Sequence, residues 1–375
     1  MKFLYNLLFF FGVNTEVKDG NNKRTFKCKK ALLILLRIFW DIEVILIIVN
    51  AAFYSKMLNH QKHFLVHILD ALFIAILRFV FHKKIKRIIT SLEKIESIDI
   101  CMNLHDNQYL RLNIVLFLSF QLFLNLISLI RTFISNNLVE LYENIFLFNS
   151  LEINNMPMFI RMILRFNIVC YVSFYNIFPS IIKVICILGL MAIRKLVRKF
   201  IKNLQMNLCR KEYSLQLKYL VGNLMKYTSI LKELNQELSL IIFLLIGFWT
   251  TYVMYDLTKL MSKPVNEGIF SAVISVLEII NYASQFAAMV FLGSSIENDI
   301  LEIKHLVLTM SSEMFPDMCD KSCCFQFLLS ALENMKQQVT VTAWGMFKIE
   351  KNLFLVIFGA IVTYEVIIMQ FMEKQ

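Results

Sequence analysis

The chain has 375 residues, of which 58% are hydrophobic, with a formal net charge of +11 and a mean hydropathy of +0.61. A soluble domain carries about 45–50% apolar residues, so an ordinary water-soluble globule is excluded. The excess falls in continuous blocks of about 20 residues, the length that crosses about 30 Å of hydrocarbon.

Backbone groups inside hydrocarbon must bond within their own segment or close a barrel. The blocks lack the apolar–polar alternation of a barrel strand. The expected class is therefore all-α: a polytopic membrane protein with seven transmembrane helices and cytoplasmic helical extensions. Residues 1–13 (MKFLYNLLFFFGV) are apolar but short, lack a small-residue cleavage site and run into a basic stretch. They are expected to form a membrane-surface or packing helix. Spans are expected at Ala31–Tyr54, Phe64–Phe81, Leu112–Ile134, Phe166–Ile193, Leu238–Met261, Ile269–Leu292 and Asn352–Phe371. Pro179 should kink the fourth. The chain then divides into an amino-terminal cytoplasmic segment (1–30), spans one to four (31–193), a cytoplasmic helical linker (194–237), spans five and six (238–292), a second cytoplasmic helical segment (293–348) and the last span with a short tail (349–375).

Lys and Arg concentrate in the cytoplasmic loops of a membrane protein. Before the first span lie Lys2, Lys18, Lys23, Arg24, Lys27, Lys29 and Lys30, whereas the next loop has only Lys56 and Lys62. The following loop has Lys83, Lys84, Lys86, Arg87, Lys94 and Arg111, and the fourth is the most basic, from Arg194 to Lys232. The amino end is therefore expected inside and, with seven spans, the carboxyl end outside. This accounts for the net charge without a nucleic-acid partner; the lipid bilayer is the partner it implies. A G-protein-coupled receptor runs the other way, and neither an Asp/Glu-Arg-Tyr after the third span nor an Asn-Pro-x-x-Tyr in the seventh is present.

Cys28, Cys101, Cys209, Cys319, Cys323 and Cys324 fall on cytoplasmic segments, and Cys170 and Cys186 fall in span four, so no extracellular disulfide is expected. Cys319, Cys323 and Cys324 with His305 lack the paired spacing of a zinc site, and no metal or other cofactor is expected. Between spans four and five, Leu217, Leu220, Val221, Leu224, Leu231, Leu234 and Leu238 recur at helical spacing. Ile296, Ile300, Ile303, Val307 and Met310 repeat the pattern after span six, and residues 325–338 form a third amphipathic helix. Each stripe must bury a face, within the chain or between subunits.

Several charges fall inside spans. Arg37 and Asp41, four apart in span one, are placed to pair. Asp70 and Arg78 lie in span two, where pairing that sets helix register and contact with a ligand are both open. Polar and aromatic residues in the outer half of the spans include His67, Asp70, Asn125, Ser128, Arg165, Asn167, Tyr171, Tyr175, Thr251, Tyr252 and Tyr255. Such a mixture can line a ligand pocket, and its Tyr residues equally serve as interface anchors.

In the last span, counting about 100° per residue from Asn352, Gly359 lies at about −20°, Thr363 at about 20° and Gln370 at about 0°. Four small or polar residues thus share one face of an apolar helix. Two readings stand: close helix packing through small residues, or a face that meets water.

Thr363-Tyr364, five residues, then Gln370-Phe371 resembles the TYhhhhhQF signature that closes insect gustatory receptors. The preceding Gly345, Phe347, Asn352 and Gly359-Ala360 are also similar to that family. The match in sequence covers only the end of the chain. Length, span number and inverted topology match over the rest. The resemblance implies a tetramer of gustatory-receptor subunits around one pore, acting as a ligand-gated, non-selective cation channel in the plasma membrane of chemosensory neurons. No G protein is required and the chain is not an enzyme. Gln370 and Phe371 would form the constriction, and Thr363 and Tyr364 would pack or line the helix below. A small-molecule tastant would bind in the outer half; the aromatic character favours a bitter or other contact chemical over sugar. Glu365 departs from the signature, which has an apolar residue there. It either pairs with a neighbouring helix or attracts cations. The competing function is a multi-span secondary transporter, against which stand the lack of an internal repeat and the single intramembrane Pro.

Overall fold

The computed structural model describes residues 8–13, 23–57, 64–99, 123, 126, 157–208, 213–262, 269–314 and 319–372. Apart from Phe123 and Leu126, the expected third span lies outside them, Asn125 and Ser128 included. Long apolar runs with few Gly and Pro favour helix, which satisfies the backbone within its own segment, and among the described residues seven long helices follow in order. They are α1 (Lys23–Met57), α2 (Phe64–Asp99), α3 (Met158–Leu208), α4 (Tyr213–Ser262), α5 (Ile269–Met314), α6 (Cys319–Val339) and α7 (Lys351–Met372), with a two-stranded hairpin, β1 (Thr342–Ala343) and β2 (Phe347–Lys348), before α7. By length and composition, four described stretches suffice to cross a membrane: Ile177–Gln205, Val221–Thr258, Ser275–Leu308 and Lys351–Gln370.

Helices α3, α4 and α5 have 51, 50 and 46 residues. At 1.5 Å per residue they run about 69–77 Å, over twice the thickness of the hydrocarbon. The amphipathic stripe ahead of span five and span five itself are thus one unbroken helix. Leu224, Leu231, Leu234 and Leu238 on that stripe are fully buried, as are Ile296, Ile300, Ile303 and Val307 on α5 and Leu328, Leu332, Met335 and Val339 on α6. These faces bury against each other within one chain. Helix α4 is the centre: it packs against α2, α3, α5, α6, α7 and β1.

Ion pairs clasp the same polar halves of the helices. Glu237 of α4 meets Lys84 at 3.2 Å and Arg87 at 3.0 Å from α2, and Glu233 meets Lys94 at 2.9 Å. Arg194 and Arg198 of α3 share Asp299 of α5 at 3.1 Å. Lys304 of α5 donates to Glu333 of α6 at 3.0 Å, and that bond holds the Glu333 carboxyl below the usual carboxylate range. The pairs exposed on both sides, Lys94 with Glu233 and Lys304 with Glu333, contribute about 0–1 kcal/mol each, so the buried stripes carry the packing and the pairs fix its register.

The amino segment is a packing element. Leu8, Phe11 and Val13 are fully buried. Trp40 donates its indole N–H to the Phe10 carbonyl at 2.9 Å, and the Phe11 ring lies 5.7 Å from Phe178 of α3. Arg78 of α2 binds the same segment. Its guanidinium, 3% exposed, donates to Asp41 at 2.9 Å, to the Arg37 carbonyl at 3.3 Å and to the Phe11 carbonyl at 3.4 Å. Arg37 and Asp41 do approach each other, at 3.8 Å, but the tighter partner of Asp41 comes from another helix.

After α6 the chain turns back through the hairpin, with Thr342 opposite Lys348 and Ala343 opposite Phe347. Trp344 and Gly345 hold positive φ, 51° and 70°. Gly adopts this freely, whereas a bulky aromatic does not. The strain is held by α4. Asn235 donates to the carbonyls of Gln338 and Thr340 at 3.1 and 2.9 Å. The Ser239 hydroxyl donates to the Thr342 carbonyl at 2.7 Å, and the Ser239 backbone carbonyl accepts from the Trp344 N–H at 3.1 Å. On the other side, a Cβ on Gly293 of α5 would lie 3.0 Å from the Ile349 side chain and 3.2 Å from its carbonyl, so the hairpin exit passes close against this glycine. Asn235→Leu should strip two buried carbonyls of their donor and cost about 2 kcal/mol. The check is a lower unfolding midpoint of the purified protein in detergent.

Candidate functional site

Helix α7 is the most apolar of the four candidate spans and the least buried against its own subunit. Its covered stripe is narrow: Ile357, Ile361 and Glu365, spaced by four. Counted from Asn352, these lie at about 140°, 180° and 220°. Asn352, Gly359, Thr363 and Gln370, at about 0°, are all exposed. The small and polar stripe therefore points away from the body of its own subunit. Thr363 satisfies its hydroxyl on the Gly359 carbonyl at 2.8 Å. Tyr364 is half-buried beside the covered stripe. Phe371 lies on α7, with its side chain outside the described residues.

Glu365 is turned from that stripe into the contact with α4. The Thr258 hydroxyl approaches its two carboxyl oxygens at 3.1 and 3.3 Å, and both residues are buried. The same hydroxyl lies 2.7 Å from the Met254 carbonyl, so one proton serves both acceptors. A carboxyl in this position locks the rotation of α7 about its axis, because any turn would carry it into an apolar contact.

A second polar group sits between α3, α4 and α5. Lys183, in the turn after Pro179, is 1% exposed. Its ammonium lies 3.8 Å from the centre of the Tyr282 ring and 5.7 Å from that of Phe248. Ring faces carry negative potential, and a desolvated cation–ring contact is worth about 2 kcal/mol. Tyr282 packs on Tyr252 at 4.4 Å, and the Tyr252 hydroxyl donates to Glu278 at 3.3 Å. Gln285 donates to Asn281 at 2.9 Å beside them. From this level, Trp249 stacks on Phe286 at 4.4 Å and Phe286 on Phe354 of α7 at 5.9 Å. A continuous run of rings thus leads from α4 through α5 to the last helix.

Of the expected pocket residues, Tyr252 belongs to this group. Thr251 is buried beside it, its hydroxyl bonded to the Gly247 and Phe248 carbonyls of its own helix. His67 and Asp70 fall on α2, Arg165, Asn167, Tyr171 and Tyr175 on α3, and Tyr255 on α4. The side chains of these seven lie outside the described residues. Sequence reading passed over Lys183, Glu278 and Tyr282. A lysine deep inside a long apolar run is itself a signal, because an intramembrane cation is costly and needs a partner.

No family model matches the chain, and no curated protein matches it in sequence. Among solved structures it is similar to the insect olfactory receptor OR5 from Machilis hrabei in complex with eugenol, with a TM-score of 0.67 and 11% identity, over 98% of this chain and 96% of that one. It is also similar to a second structure of the same receptor, with a TM-score of 0.60 and 11% identity, over 98% of this chain and 97% of that one. Across nearly its full length, the chain has the fold of an insect olfactory receptor.

Proposed function

We propose that this chain is an insect-type gustatory receptor, a subunit of a tetrameric, ligand-gated, non-selective cation channel in the plasma membrane of chemosensory neurons. In this reading seven helices span the membrane, with the amino end inside and the carboxyl end outside. The observation that carries it is the two-faced character of α7. One narrow stripe packs on the subunit and is locked by Glu365 and Thr258. The opposite stripe of Asn352, Gly359, Thr363 and Gln370 is left uncovered. Polar groups facing lipid are costly, whereas four copies of this stripe around an axis would face one another and water. The fold of the eugenol-bound olfactory receptor and the Thr363-Tyr364…Gln370-Phe371 motif support the same assignment.

In this arrangement Gln370 and Phe371 form the constriction near the outer mouth. A ring of Phe371 closes it by dewetting, and Thr363 and Tyr364 lie along the helix below. The ligand is a small molecule, of the bitter or contact-chemical kind, met by the aromatic group of Tyr252 and Tyr282 around Lys183. The ring run from Trp249 through Phe286 to Phe354 carries its effect to α7. Glu365, by its placement, is a packing residue and not a cation attractor.

Expression with a panel of tastants, alone and with partner subunits, tests the channel. A ligand-evoked current is expected, and Gln370→Ala and Phe371→Ala should each alter it strongly, the latter raising the resting current. Uptake that follows a substrate gradient with no current would instead make the protein a transporter. Glu365→Gln should leave conductance and cation preference unchanged while lowering the unfolding midpoint. A shifted reversal potential in this variant would restore its carboxyl to the ion path. Lys183→Met should raise the half-maximal ligand concentration about tenfold or more at equal surface expression, since it removes the buried cation from its ring faces.

A further inference from the structure

At the polar end of the membrane-embedded bundle, a cleft of about 390 Å³ opens between α2, α4 and the hairpin, lined by Lys84, Asn235, Gln236, Ser239, Leu240, Thr342, Trp344 and Gly345. Three separate elements change polarity at its level. Helix α2 passes from apolar residues to Lys83 and Lys84, α4 passes from Gln236 and Glu237 to its apolar run at Leu238, and α7 begins at Lys351. Contacts between these elements put the changes side by side, for Lys84 meets Gln236 and Glu237, and Trp344 meets Ser239. The cleft therefore lies at the surface of the bilayer, half in the headgroup layer.

Its chemistry is mixed in a specific way. Lys84 supplies a cation. It shares Glu237 with Arg87, so one carboxylate faces two positive groups. An anion can take Lys84 while Arg87 keeps Glu237 neutralised. Asn235, only 6% exposed, spends its N–H groups on the hairpin and leaves its Oδ1 with no hydrogen-bond partner among the described residues. A buried acceptor of this kind calls for an O–H or N–H donor. Leu240 and the exposed Trp344 form the apolar side, with Phe243 5.5 Å behind the Trp344 ring. Trp is favoured where one end meets headgroups and the other hydrocarbon. Trp344 is held there in a left-handed backbone conformation that costs energy, and such strain gathers where a ligand is clamped.

We propose that this cleft binds the headgroup of an anionic, hydroxyl-bearing phospholipid of the phosphatidylinositol class. Its phosphate lies at Lys84, its ring hydroxyls donate to Asn235 Oδ1, and its acyl chains leave past Leu240 and Trp344. In the orientation proposed above, this is the cytoplasmic leaflet. The headgroup bridges α2, α4 and the hairpin that leads into α7. In the channel reading it therefore bears on the root of the gate.

Binding is read without current, so its failure leaves the channel assignment untouched. The full chain is reconstituted in nanodiscs of phosphatidylcholine, with brominated phosphatidylinositol monophosphate or with brominated phosphatidylglycerol added, and Trp emission is followed. Saturable quenching by the inositol lipid, stronger than by phosphatidylglycerol, is expected. Trp344→Phe should remove the saturable part. Lys84→Gln should weaken it about fivefold, the worth of one basic residue at a charged surface, while Lys84→Arg retains it. Lys83→Gln, at an exposed position of α2 that does not line the cleft, should leave it unchanged. Equal losses in Lys84→Gln and Lys83→Gln would show diffuse attraction to charge and overturn the site. Equal quenching by both lipids would overturn the inositol class. Soluble inositol bisphosphate that shifts Trp344 emission saturably in plain phosphatidylcholine discs, with no quenching by the inositol lipid, would assign the cleft to a cytosolic inositol phosphate and overturn the phospholipid.

Discussion

The structure turns on the seat that α4 provides for the hairpin. Between α6 and α7 the chain turns through a short hairpin packed on α4, where its carbonyls and N–H groups lose water on one side. Asn235 and Ser239, one turn apart on α4, meet this demand with three donated bonds and one accepted bond. The same two residues fix where α7 begins. From that point the rotation of α7 is settled by Ile357, Ile361 and Glu365, and the exposed position of Thr363 and Gln370 follows. The face that α7 shows to its surroundings is thus decided at residues more than a hundred positions earlier in the chain.

Two buried cations show two solutions to one problem. Arg78 has a planar fork with several donors, and it is met by a carboxylate and two carbonyls from separate segments. It ties the amino segment, α1 and α2 together. Lys183 is a point charge, and it is met by the faces of Tyr282 and Phe248. The first arrangement demands matched geometry and is suited to joining elements. The second is softer, because a ring face accepts a cation over a range of positions, and it is suited to a place where helices shift.

What the sequence makes legible is what lies within one helix. The stripe from Leu224 to Leu238 is a period that any reader can count, and it is buried. The face carrying Asn352, Gly359, Thr363 and Gln370 follows from a fixed angle per residue, and the four do share an exposed side. Glu365 stood out as a carboxyl in an apolar run, although its partner could not be named, because Thr258 lies on another helix. The same limit hid the partner of Arg78, the aromatic setting of Lys183, and which helices residues 8–13 pack against. None of these has a local period. The hairpin was hidden too: Trp-Gly is a weak turn signal, and its strained Trp344 is stabilised by α4 and not by its neighbours.

The burial of the amino segment bears on the order in which the protein is built. Phe11 is enclosed by Trp40, Arg78 and Phe178, which belong to three different helices. Residues 8–13 thus have no complete resting place until the helix bearing Phe178 has been made. During that interval an apolar stretch with no partner must be kept from the lipid and from other chains. Closure of the bundle around it is accordingly a late event in biogenesis, and a bulky fusion at the amino end acts on this step before it acts on any ligand.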